Sequence, residues 1–143
     1  MVIFAVMARI MAIDYGTKRV GIAVTDPGKI IATGLTTVAR KEVIKFIENY
    51  LLKEKVECFV IGDPGMGTRN HLIAKEADRF SEELKKKFPN VKVDRMNEMF
   101  TSKMAFQTMI DSGLKKMDRR NKALIDEISA TIILQNYLEK IQK

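Results

Sequence analysis

At 143 residues the chain fits one domain and is long enough to bury a core of its own. Hydrophobic residues at 46% and charged residues at 30% exclude a disordered or membrane-embedded chain, and a single cysteine excludes an internal disulfide framework. Lys and Arg number 25 against 18 Asp and Glu, and the net charge of +7 points to a polyanionic partner, because each cation set against a phosphate releases condensed counterions.

The N-terminal run MVIFAVMARIMAI is apolar, but it has no basic leader and no small-residue cleavage site, and Asp14 interrupts it short of a bilayer span. It reads as no export signal, and with Cys58 as the lone thiol this suits a reducing, cytoplasmic location. Met7 would begin the first strand as well as Met1, so residues 1–6 fit an N-terminal extension. Arg9 to Ile13 is mostly apolar, Val20 to Thr25 alternates, and Ile30 to Val38 is rich in Ile, Thr and Val. The turn signals Gly16-Thr17-Lys18 and Asp26-Pro27-Gly28-Lys29 between them predict an antiparallel meander.

From about Lys41 the period changes, and Val43, Ile44, Ile47, Tyr50 and Leu51 predict a helix ending near Lys55. Glu57 to Ile61 reads as a short buried strand holding Cys58, which is expected to be an inert small hydrophobe. Ile73, Ala77, Phe80, Leu84 and Phe88 lay an apolar stripe along a second, charged helix that Pro89-Asn90 stops. Val91 to Met96 is the last strand. Thr101 is the expected N-cap of a third helix running to about Asp111, and a final helix runs from about Lys122 to Lys140. The order βββ-α-β-α-β-α-α predicts a single α/β domain, a five-stranded mixed sheet with helices on both faces.

Three carboxylates stand where chemistry could collect. Asp14 closes an apolar strand, where an acid must be paired, hydrogen-bonded or bound to a metal; the bland alternative is a turn Asp bonding the Gly16 or Thr17 N–H. Asp126 shares a helix side with Ala130, Ile133 and Tyr137; the alternative is a first-turn acid facing the helix dipole. Glu98 follows the last strand, and alone reads equally as a loop glutamate. Together they would repel one another unless a hard cation such as Mg²⁺, with Mn²⁺ as a substitute, sat among the oxygens and activated water for attack at phosphorus. The basic segment with Lys115, Lys116, Arg119, Arg120 and Lys122 precedes Asp126 and could hold phosphates, as could Lys18 and Arg19 beside Asp14. No Cys/His ligand spacing competes, and His71, the one histidine, is expected at the solvent-facing start of a helix.

The run Ile13-Asp14-Tyr15-Gly16-Thr17-Lys18-Arg19-Val20-Gly21 resembles the opening motif of the YqgF/RuvX family, Holliday-junction resolvase-like proteins of RNase H-like fold. Thr25-Asp26-Pro27 is similar to its second-hairpin Ser/Thr-Asp-Pro, Glu98-Met99-Phe100-Thr101-Ser102 to its Asp-Glu-Arg-x-Thr-Ser box, and Ile125 to Leu138 to its C-terminal helix. The likeness runs in order from about Arg9 to Leu138. It implies a cytoplasmic bacterial nuclease with Asp14, Glu98 and Asp126 as metal-binding catalytic carboxylates. The implied partner is nucleic acid, either precursor 16S ribosomal RNA cut at its 5′ end or branched DNA. Resolvases act as dimers as a rule, so a second copy of the chain is a further implied partner. Three departures stand out: Asn97-Glu98-Met99 replaces Asp-Glu-Arg, the loop after the fourth strand is the short Gly62-Asp63-Pro64-Gly65-Met66-Gly67, and Ser129 stands where related nucleases carry a fourth carboxylate. They imply a weak second metal site or lower activity, and leave open a non-catalytic nucleic-acid-binding ribosome-assembly factor on the same fold. Asp-x-Gly-Thr also opens the phosphate loop of actin-like ATPases, but those need two such domains and this chain holds one.

Overall fold

The computed structural model describes residues 7–16, 18–63, 71–97 and 122–141. Three strands open it, β1 (Arg9–Tyr15), β2 (Arg19–Thr25) and β3 (Ala32–Ala39). A short 3-10 turn, Arg40–Glu42, leads into α1 (Val43–Lys53), followed by β4 (Val56–Asp63), α2 (His71–Lys87), β5 (Lys92–Asn97) and α3 (Lys122–Ile141). The five strands form one sheet in the order β3-β2-β1-β4-β5. The meander pairs are antiparallel, while β4 lies parallel to β1 and β5 parallel to β4. This is the expected mixed sheet; the helix expected from Thr101 to Asp111 lies outside the described residues.

Period-2 alternation divides the sheet into two unlike faces. Met11, Ile13, Val20, Ile22, Phe59 and Ile61 bury large side chains against Val43 and Ile47 of α1 and Ala77, Phe80 and Leu84 of α2. The opposite face carries Ile10, Ala12, Ala23, Cys58 and Val60, covered by Ala130, Ile133, Leu134, Tyr137 and Leu138 of α3. Cys58 is buried, and desolvation pushes its thiol above the ordinary range, so it sits there as the expected hydrophobe. The Tyr137 hydroxyl lies 3.9 Å from the Cys58 Sγ and donates to Asp94 of β5 at 2.8 Å, anchoring the far half of α3. Burial, then the bond to Asp94, raises the Tyr137 phenol above its usual value.

The third strand begins later than its apolar content suggests. The Asp26 carboxylate accepts the backbone N–H groups of Gly28 (3.1 Å), Ile30 (2.8 Å) and Ile31 (2.7 Å), holding these residues in the turn. Ile30 and Ile31 are consequently 71% and 62% exposed. The N–H groups of Ile31 and Ile30 hold the Asp26 carboxyl below the usual carboxylate range. What it lends to stability is therefore present above the ordinary carboxylate pKa and is lost as pH falls through the lowered value.

Thr25, fully buried beside it, completes the corner. Pairing of β1 with β4 shifts register between Arg9 and Ile10, and the Ile10 N–H donates to the Thr25 Oγ1 at 3.0 Å. The same hydroxyl donates to the Asp26 carbonyl at 2.8 Å. Thr25→Val keeps the side chain's shape but strands the Ile10 N–H, while the Asp26 carbonyl keeps the Lys29 N–H at 3.0 Å, and is expected to lower stability in urea denaturation by about 1–3 kcal/mol. Thr25→Ser, which keeps the hydroxyl, is expected to retain most of it.

Candidate active site

Asp14 is a ladder residue of β1, opposite Gly21 of β2. Cross-strand partners share a face, and Asp14 continues the Ile10–Ala12 series, so its carboxylate belongs to the face that α3 covers. The Gly16 N–H donates to the Arg19 carbonyl at 3.0 Å across the turn.

Gly21 decides how near α3 comes. A Cβ there would stand 2.1 Å from the Asp126 carbonyl oxygen and 3.1 Å from the Asp126 Cβ, so the helix rests on the bare strand at the position opposite Asp14. Gly34 of β3 does the same for the next residue, since its Cβ would meet the Glu127 Oε1 at 2.6 Å. Asp14 and Asp126 are thereby brought together on one face at the C-terminal end of β1. Asp126 is the fifth residue of α3, and no acid occupies the first turn, so the helix dipole does not account for its position.

Arg19, which opens β2 on the same face, bonds the Asp126 Oδ2 through its Nε at 2.9 Å. Both side chains are partly exposed, so the pair adds only about 0–1 kcal/mol of stability and matters more for placement. The sequence marks Arg19 as a phosphate contact; its pairing with Asp126 depends on how α3 lies over β2. One helical turn beyond Asp126, Ser129 is fully buried and its Oγ has no hydrogen-bond partner among the described residues.

Ile13, Ile61 and Arg95 form one row across β1, β4 and β5, so these strands end on the same side of the sheet. Glu98, the residue after β5, lies outside the described residues, as do Lys115, Lys116, Arg119 and Arg120. Lys122 opens α3, His71 opens α2, and Lys18 is exposed beside Arg19. Among the described residues no three His, Cys, Asp or Glu gather as a metal cluster, and no helix is long and apolar enough to cross a membrane.

The model of the RuvX family, described as Holliday junction resolvase, matches residues 8–140. A protein of Flavobacterium psychrophilum, provisionally named a pre-16S rRNA nuclease, is 55% identical over 135 residues, covering 94% of this chain and 98% of its own. One of Bacteroides fragilis with the same provisional name is 54% identical over 134 residues, covering 93% and 97%. Among solved structures, the T. thermophilus RuvC in complex with a Holliday junction substrate superimposes with a TM-score of 0.57 at 17% identity, covering 94% of this chain and 96% of that one. That likeness shows the RNase H-like fold.

Gly21→Ala forces a methyl group into the Asp126 carbonyl and must lift the start of α3. Overpacking of this kind is expected to cost about 1–3 kcal/mol or more in urea denaturation. Gly28→Ala, a turn position with its nearest contact at 3.0 Å to a side-chain oxygen, is expected to cost less.

Proposed function

The chain belongs to the RuvX family of Holliday junction resolvases, and on that premise we propose that it is a divalent-metal-dependent nuclease hydrolysing phosphodiester bonds at the Asp14–Asp126 end of the sheet. The supporting observation is the Gly21 contact, which sets Asp126 against the strand partner of Asp14. The donor set, carboxylate oxygens, suits a hard cation, and Arg19 holds one oxygen of Asp126. The Ser129 hydroxyl, unpartnered among the described residues, adds a polar group inside the packing, one turn from Asp126, that water or a ligand oxygen could satisfy.

In this reading Asp14 and Asp126 hold Mg²⁺ or Mn²⁺, joined by Glu98 from the segment after β5. When bound, such an ion lowers the pKa of water and offsets charge developing on the phosphate. Arg19 steers a phosphate oxygen toward the carboxylates and keeps Asp126 oriented, and Lys18 extends the positive field at the turn. Lys115, Lys116, Arg119, Arg120 and Lys122 belong to the segment entering α3 and would grip the flanking backbone. Residues 1–143 act as one nuclease domain in the cytoplasm. The names of the relatives favour precursor 16S rRNA as substrate, and the family's description favours branched DNA as a second one.

The deciding assay offers precursor 16S RNA and a four-way DNA junction to the purified protein, each with and without Mg²⁺ or Mn²⁺. Cleavage of the RNA should require the metal. Losing an outer partner of a metal ligand already costs about 10–100-fold, so Asp14→Asn is expected to lose at least about 100-fold. Equal rates in wild type and Asp14→Asn, or metal-independent rates, would sink the proposal.

A further inference from the structure

Tyr15 follows Asp14 along β1 and so points to the opposite face of the sheet. Its ring stacks on Phe80 of α2, with centroids 4.3 Å apart and planes 13° apart, and the Arg40 guanidinium carbon lies 4.3 Å from the same ring centre. Arg40 bonds Glu76 at 2.6 Å, and its backbone N–H donates to the Lys18 carbonyl at 3.0 Å. The 3-10 turn is therefore tied to the turn between β1 and β2.

The product is an open groove of about 500 Å³ lined by Tyr15, Lys18, Ala39, Arg40 and Lys41. Its lining holds three cations and no acid. Glu76 offsets Arg40, but Lys18 and Lys41 are exposed and pair with no carboxylate among the described residues. Gathering like charges on a rigid aromatic shelf gains the fold nothing; it raises the local positive potential that a polyanion meets.

We propose that this groove is a second contact for the phosphodiester backbone of the substrate, gripping it around the end of β1 on the face opposite Asp14 and Asp126. It rests on the nucleic-acid reading above, but not on cleavage. Lys18 and Lys41 supply the charge, and Arg40 with Tyr15 holds the shelf that spaces them.

The test is binding of a precursor 16S RNA oligonucleotide, and separately of a four-way DNA junction, in chelator across a salt series, so that no cutting occurs. The Lys18→Gln/Lys41→Gln double variant is compared with a charge-matched control on exposed helical lysines, Lys53→Gln/Lys86→Gln. The groove variant should bind about tenfold more weakly at low salt and lose about 1.4 (single strand) to 1.8 (duplex) from the slope of log affinity against log salt. The control should keep the wild-type slope. If the two double variants behave alike, or if Lys41→Gln alone, which leaves the turn beside Asp14 intact, binds as the wild type does, the groove is not a contact. Loss of binding only in the groove variant, from a protein that never cleaves, keeps the groove and rejects the nuclease. A wild type that binds neither probe rejects both.

Discussion

The position of α3 depends on one backbone-to-backbone contact, the Asp126 carbonyl lying over Gly21. The sheet face it covers is built from small residues at the crossing point, with Ala12, Ala23, Gly21 and Gly34 where the other face has Met11, Ile13, Ile22 and Phe59. Large residues hold α1 and α2 away from the strands through side-chain packing, while small ones let α3 descend until main chains touch. Close-packed interiors transmit such differences directly. A carboxylate on α3 can come close to one on β1 because the strand partner of Asp14 is Gly21, which puts no side chain beneath Asp126.

Charge then follows geometry. Asp14 and Asp126 stand at the strand end, where the apolar rows of β1 stop and partial exposure begins, and Arg19 is positioned by the same alternation to meet Asp126. One residue further, alternation sends Tyr15 to the other face and into a different set of partners. A single strand terminus thus serves two surfaces, an acidic one beneath α3 and a basic, aromatic one beside α2. The resemblance boxes also separate by role. Thr25 and Asp26 satisfy backbone groups at the meander corner and have a structural reason to be there, whereas Asp14 and Asp126 are the carboxylates we propose for the chemistry.

Much of this was legible in the chain. Alternation and turn residues located the meander, the stripe of Ala77, Phe80 and Leu84 located α2, and the apolar side of Asp126 pointed to the face it takes. The RNase H-like fold and family follow from motifs in fixed order. Ile30 and Ile31 misled, because apolar β-branched residues resemble a strand while the Asp26 carboxylate holds their N–H groups in a turn. Glu98 stands mainly on the resemblance, and the lysines and arginines from 115 to 120 on their charge ahead of Asp126; all lie outside the described residues.

By itself the sequence determined the elements and the faces within each, since periodicity and turn chemistry are properties of neighbouring residues. Only the tertiary structure decided which faces meet. The Arg19–Asp126 pair joins residues 107 positions apart, and the groove between Lys18 and Lys41 joins two turns through one backbone hydrogen bond. Such meetings depend on strand register and on how closely a helix can approach, and no local pattern carries either.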